Sequence, residues 1–225
     1  MIDLHTHSLF SDGDLLPSEH VRRYEVAGYK AVAITDHMDI SNVDEVMPKL
    51  VEFRRNFDNV GSKIKVIVGA ELTHVPIKQI PIVIKKARDL GADLILVHGQ
   101  TLAEPVVEGT NITALNNDID ILAHPGLITV KEARLAAKKG IYLEITTRKG
   151  HSWTNGHVVK ITRKVGAKLL LNNDMHRPED ILKPALLEEI ACGAGLSKQD
   201  YKRMLVNAKN LIKAKTGINV GLSLL

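Results

Sequence analysis

The chain has 225 residues, 44% of them hydrophobic and 25% charged, and a formal net charge of +4. That supplies one sizeable core in an ordinary globular composition and excludes a disordered or fibrous chain. The mild positive balance suits an anionic small substrate slightly better than a cationic one, and no run of lysine and arginine suggests a nucleic-acid arm.

A lone cysteine, Cys192, excludes an internal disulfide and a thiolate metal cluster, and it points to the reducing cytoplasm. No apolar run approaches the ~18–20 residues of a membrane helix. A cleavable leader is not expected either, because it would remove the histidines at 5 and 7.

The chain opens on Ile2-Asp3-Leu4-His5-Thr6-His7, an alternating apolar strand that ends in His-x-His. Residues two apart on a strand point to one side, so the two rings can grip one ion. A helix is expected from Pro17 to Ala27, stopped by Gly28. A strand over 30–35 runs into Asp36-His37, and a helix over 41–57 follows. The strand over 63–72 ends in Gly69-Ala70-Glu71, the helix over 79–90 stops at Gly91, and the strand over 93–97 ends in His98-Gly99.

A looser segment, 100–111, precedes a short helix over 112–117. The strand over 120–123 ends in His124-Pro125, and a helix over 130–139 stops at Gly140. The strand over 141–145 leads into Thr146-Thr147-Arg148-Lys149-Gly150, and Thr154 is expected to cap a helix running to Val165. The last strand, 168–172, ends in Asn173-Asp174-Met175-His176. Two helices close the chain, 184–192 and 197–215, the second capped by Ser197 and Gly217. The apolar tail from Ile218 is expected to pack on the barrel or on a second copy, the one hint of a homo-oligomer.

This makes seven strand–helix units whose strands are nearly continuous apolar runs, as in buried parallel sheets. They fit a closed barrel or an open doubly wound sheet. Ligand-type residues follow all the strands but the sixth. In a barrel those ends converge on one pocket, whereas the edges of an open sheet lie too far apart to share a site. An α/β barrel spanning residues 1–225 as one domain, with C-terminal helices and tail from about 184, is therefore expected.

The convergent set is His5, His7, Asp12, Asp36, His37, Glu71, His98, His124, Asp174 and His176. Six histidines and several carboxylates at one rim form a costly cluster unless cations resolve it. Imidazole and carboxylate without sulfur suit Zn²⁺, Mn²⁺ or Fe and disfavour Ca²⁺. So many ligands suit two or three ions sharing a bridging carboxylate.

These residues resemble the PHP family, named for polymerase and histidinol phosphatase. The likeness rests on His5-x-His7 with Ser11-Asp12-Gly13, on Thr35-Asp36-His37, Gly69-Ala70-Glu71, His98-Gly99 and His124-Pro125, and on Asn173-Asp174-x-His176. It implies a distorted (β/α)7, TIM-like barrel with a trinuclear site. One ion would take His5, His7, Glu71 and Asp174. A second would share Glu71 and take His98 and His124. The third would take Asp12, His37 and His176. Asp12 stands where some members have His, and Asp36 is expected to orient a ligand ring. The opening His-x-His also resembles amidohydrolases, but their carboxylated lysine after the fourth strand is absent here, which counts against cyclic amide hydrolysis.

The chemistry implied is hydrolysis of a small phosphate monoester, histidinol phosphate being the best-known family substrate. Arg148, after the sixth strand, is the candidate phosphate fork, with Arg177 and Lys149 behind it. Glu144 supports the site if it faces inward. His74 either lines the pocket or caps a loop. The loop His151–His157 carries the only tryptophan, Trp153, which either packs the loop on the barrel or contacts the organic part of the substrate. Two other readings stand beside this one: a PHP-type nuclease or phosphodiesterase, disfavoured by 4% aromatic residues, and a non-catalytic metal-binding protein.

Overall fold

The computed structural model describes residues 1–58 and 61–221. Its strands are β1 (Ile2–Asp3), β2 (Ala31–Ile34), β3 (His37–Met38), β4 (Lys65–Leu72), β5 (Leu94–His98), β6 (Ile121–Ala123), β7 (Tyr142–Thr146) and β8 (Leu169–Asn172). All pair in parallel, in the order β1-β2-β4-β5-β6-β7-β8. β2 and β3 both run along β4, Ala31 to Ile34 facing Lys65 to Val68 and His37 facing Glu71. They act as one stave broken at Thr35-Asp36, so the sheet has seven staves. A parallel bridge between Thr6 and Met175 joins the first stave to the last. The result is the nearly closed (β/α)7 barrel expected from the sequence.

The helices are α1 (Pro17–Val26), α2 (Val43–Asp58), α3 (Ile80–Asp89), α4 (Thr110–Asn116), α5 (Val130–Lys139), α6 (Asn155–Val165), α7 (Pro184–Gly193) and α8 (Lys198–Thr216). Expected and observed ends agree within about two residues. Ser197 caps α8 with its hydroxyl on Asp200 N (3.1 Å) while the Asp200 carboxylate accepts from Ser197 N (2.9 Å). Gly217 ends it in the left-handed region at φ 72°. Thr154, in contrast, caps nothing with its side chain. A 3₁₀ turn over His151–Thr154 precedes α6, and Asn155 fastens the turn instead, bonding Thr146 N (3.1 Å) and Thr146 O (2.8 Å).

Strand parity sorts the core. Val32, Ile34, Val66, Val68, Ile95, Val97, Leu143 and Ile145 belong to the large cluster shared with the helices. The alternate residues Ala31, Ala33, Ile67, Leu94, Leu96, Ile121, Tyr142 and Leu170 form a second, inner cluster. Ala208, Leu211 and Ile212 of α8 join this inner cluster, as does Val220 of the tail. The described part of the tail thus packs on the barrel, while 222–225 lie outside the described residues. Gly69 continues the inner row because a Cβ there would lie 2.4 Å from the carbonyl oxygen of Leu94.

One step further along those rows the chemistry changes. Ile67 and Gly69 are followed by Glu71, Leu94 and Leu96 by His98, Tyr142 by Glu144, and Leu170 by Asn172. The same parity that fills the barrel with hydrocarbon aims these polar side chains into its carboxyl-terminal mouth. No helix among the described residues is long and apolar enough to cross a membrane.

Candidate metal centre

All nine residues of the expected ligand pattern meet at the carboxyl ends of the strands. His5 and His7 lie just beyond β1, and each aims Nε2 at the same carboxylates. His5 Nε2 is 3.1 Å from Glu71 Oε2 and 3.6 Å from Asp174 Oδ1; His7 Nε2 is 3.5 and 3.3 Å from the same atoms. His124 Nε2 faces the other oxygens, Glu71 Oε1 at 3.6 Å and Asp174 Oδ2 at 3.5 Å. His37 Nε2 and His176 Nε2 converge on the Asp12 carboxylate at 3.4 and 3.2 Å. Two donors on one tetrahedral ion, each bonded at about 2.0–2.1 Å, stand roughly 3.3 Å apart. The separations are those of ligand sets rather than of a hydrogen-bonded network.

The buried polar atoms make the same point. His5 Nε2, both nitrogens of His7, both oxygens of Glu71 and His124 Nδ1 are buried without a hydrogen-bond partner. Orphaned polar atoms in a dry interior are costly. Those on His5, His7 and Glu71 lie together at the mouth, where divalent cations fit them. Groups of His and carboxylate donors close enough to hold an ion are, among the described residues, His7, Asp12, His37 and His176; His98, His124 and His151; His5, His7 and Glu71; and His5, His124 and Glu144.

The electrostatics of the bare cluster are strongly coupled. Burial alone would depress His5, but Glu71, Glu144 and Asp174 hold it well above the usual imidazole range. Burial and the neighbouring His37 push His7 well below it, and burial with His98 does the same to His124. Burial opposes ionisation of Glu71 and Asp174, yet the surrounding imidazoles keep both well below the usual carboxylate range. His37 rises to about 10 against its burial, drawn up by Asp12 and Glu71.

Residues behind the ligands set their orientation. Glu144 faces inward and is fully buried. Its Oε1 accepts from His5 Nδ1 (2.9 Å) and Asn172 Nδ2 (2.7 Å), and its Oε2 accepts from His124 N (3.2 Å). That fixes the His5 tautomer with Nε2 toward the centre. Asp3 accepts from Tyr24 Oη (2.7 Å) and Asn173 Nδ2 (2.6 Å), pinning the segment before His5 to the segment before Asp174. Its burial raises it to about 6. Replacing Glu144 by Gln is expected to weaken metal binding about 10–100-fold, the usual effect of losing a ligand's orienting partner; competition against a chromophoric chelator measures it.

Asp36 departs from expectation. It touches no ligand ring and accepts instead from Ser8 N (2.7 Å), Ser8 Oγ (2.7 Å) and Ser11 Oγ (2.6 Å). It therefore shapes the turn that delivers Asp12. The reason is positional: Asp36 shares the parity of Val32 and Ile34 on the outward row, whereas His37 continues the inward row of Ala31 and Ala33.

Arg148 borders the cleft, with Nη1 donating to Asp174 O (3.3 Å) and lying 2.7 Å from His176 Nδ1. Arg177 faces Asp14 at 3.7 Å and is 67% exposed, away from the cleft lining. Trp153 is 70% exposed and does not pack its loop onto the barrel. His157 bonds Ile128 O (2.8 Å), and His20 stacks on Tyr24 at 5.2 Å, pushed down to about 3 by burial. Both are structural. The pattern missed Glu104 and His151, which line the cleft together with His74. The cleft holds about 200 Å³, less than the roughly 300–1,000 Å³ of sites for drug-sized ligands.

A model of the PHP domain matches residues 3–104. The uncharacterized protein MJ1295 of Methanocaldococcus jannaschii is 46% identical over 213 residues, 94% of this chain and 98% of that protein. A chain in the cryo-EM structure of archaeal ribonuclease P with mature tRNA superposes with a TM-score of 0.74 at 16% identity, covering 99% of this chain and 97% of that one. Histidinol phosphate phosphatase from Lactococcus lactis, in a crystal structure complexed with zinc, L-histidinol and phosphate, superposes with a TM-score of 0.58 at 17% identity, covering 92% and 93%. At these identities the two structures share the fold.

Proposed function

Because the chain belongs to the PHP family, we propose that it is a cytoplasmic metal-dependent phosphoesterase acting on a small phosphate monoester of the histidinol phosphate kind. The observation that carries the reading is the set of orphaned buried donors on His5, His7 and Glu71, which lie with His124 Nε2 and Asp174 at ligand-to-ligand spacing beside one open cleft. A metal-binding role alone would not require that cleft, nor a guanidinium at its edge.

Two or three ions, Zn, Mn or Fe, would be held by His5, His7, Glu71 and Asp174, by Glu71, His98 and His124, and by Asp12, His37 and His176. Bound there, they would activate water near neutral pH and withdraw charge from phosphoryl oxygens. The chain's own residues do the rest. Arg148 offers its guanidinium to a phosphoryl oxygen at the cleft edge, and its contact with the Asp174 carbonyl holds it there. Glu144 keeps His5 in the tautomer that presents Nε2. Asp36 holds the Ser8–Ser11 turn, and with it Asp12, against the mouth.

The test is elemental analysis of the purified chain with turnover of p-nitrophenyl phosphate and histidinol phosphate, using His124→Ala as control. Two or three equivalents of metal, with turnover lost in the variant, is the expected result. Bound metal without turnover of any monoester would move the reading to phosphodiesters or to a binding role. No metal after reconstitution would sink it.

A further inference from the structure

Nothing in the nine-residue pattern calls for a carboxylate where Glu104 stands. Its Oε2 lies 3.0 Å from His74 Nε2 and 3.2 Å from His98 Nε2, and its Oε1 lies 3.1 Å from His151 Nε2. His98 has one nitrogen to offer a cation. Its Nδ1 faces the carbonyl oxygen of Gly99 at 3.1 Å. A carbonyl only accepts, so Nδ1 carries the proton and Nε2 the lone pair. Any ion bound by His98 is therefore bound on the side where Glu104 and His151 stand. In the bare chain His74 and His151 hydrogen-bond Glu104 at these separations, which also lie close to the roughly 3.3 Å between donors sharing one ion. Ring nitrogens of His98, His124 and His151 also lie within 4.8 Å of one another.

We propose that the cation position beside β5 and β6 is completed by His151 and Glu104. A carboxylate carried on the 100–111 loop would then be a metal ligand alongside His98 and His124, with His74 as its positioning residue. The proposal rests on the metal-dependent reading above and extends it to residues outside the family pattern.

Two independent features favour it. Among the described residues, only three other than glycine have positive φ: His74 at 51°, His124 at 27° and Asp174 at 54°. Such backbone is unfavourable for a side-chain-bearing residue and collects at functional sites. Two of the three belong to the nine-residue pattern; the third is the residue that contacts Glu104. The loop is also built to hold its position. Gln100 and Asn111 exchange two backbone-to-side-chain bonds of 3.0 Å, and Asn111 Nδ2 donates to Pro125 O (2.9 Å). Beside Glu104, Ala103 packs so near Gly150 that a Cβ on the glycine would lie 3.1 Å from the alanine Cβ. This contact brings the Glu104 loop against the turn that carries His151.

The experiment uses the full chain reconstituted with Zn²⁺ or Mn²⁺. Metal equivalents are counted by elemental analysis, and affinities come from competition with a chromophoric chelator. Amide exchange over 101–109 is followed with and without metal. Glu104→Gln is expected to weaken one equivalent about tenfold or more and to remove the metal-dependent protection of the loop, with the other equivalents unchanged. His151→Ala is expected to lose that equivalent. Glu108→Gln, an exposed carboxylate on the same loop, should behave as the parent. The half-exposed Glu104 can be changed without threatening the fold, so the test does not depend on the buried His151. Full metal content at parental affinity in Glu104→Gln would overturn the proposal while leaving the centre intact. An equal loss in Glu108→Gln would overturn it too. A parent chain that binds no metal would take the whole metal reading down with it.

Discussion

Glu71→Gln is expected to lower phosphoester turnover on the order of 10³-fold and to strip at least one equivalent of metal from the protein. The side chain keeps its volume, so the effect is chemical rather than steric. Glu71 is fully buried and makes no hydrogen bond with either oxygen. Four imidazoles face it, His37 at 3.0 Å, His5 at 3.1 Å, His7 at 3.5 Å and His124 at 3.6 Å. An amide removes the charge shared by two ligand sets and turns an N–H donor toward nitrogens that should hold cations. Removal of a single group that stabilises charge at a preorganised site costs about 10²–10³-fold in turnover; here the group also holds the metal. Elemental analysis and kcat on p-nitrophenyl phosphate measure the two losses, and circular dichroism checks the fold. Parental metal content in Glu71→Gln would remove it from the ligand set.

Chelation is expected to lower the melting temperature by about 8–16 °C for each ion removed. An ion present at a thousand times its dissociation constant stabilises the folded chain by about 4.1 kcal/mol. For a chain of this size each kcal/mol shifts Tm by roughly 2–4 °C. The gap should widen as pH rises. In the bare centre His37 is raised to about 10 and His5 also lies well above the usual imidazole value. Both therefore carry protons at neutral pH that a bound cation expels. Each proton released makes metal affinity rise about tenfold per pH unit below that bare-state value. The protonated His37 also stabilises the bare chain fully below the ordinary imidazole value of ~6.5, and that contribution is lost as pH climbs toward 10. Both effects favour the loaded form at higher pH. Calorimetry at pH 7 in buffers of different ionisation enthalpy should show protons released on loading; none released would contradict the ligand roles of His5 and His37.

Much of the centre was legible in one dimension. Every apolar strand run but the sixth ends in a residue with a metal-ligand side chain, and strand parity is local, so Glu71 and His98 had to face the same way as Ile67 and Leu96. Helix ends with strong local chemistry, such as Ser197 and Gly217, were legible for the same reason. Asp36 was misread although its parity with Val32 and Ile34 already put it on the outward row, away from the inward row that His37 continues. Glu144 was left open because parity shows alternation but not which face is inside.

Residue order and periodicity by themselves determined the strand–helix alternation and the ligand-type residues that end six of the seven strands, because both follow from backbone geometry repeating over a few residues; the nine-residue ligand set came with the resemblance to the PHP family. Only the tertiary structure decided which loops meet above the mouth. Glu104 and His151 are 47 positions apart, on loops with no shared periodicity. They meet because the closed sheet brings the ends of β5 and β7 around one axis, and because Gly150 leaves room for Ala103. Contacts of that kind depend on the curvature and closure of the whole barrel, which no local stretch of sequence encodes.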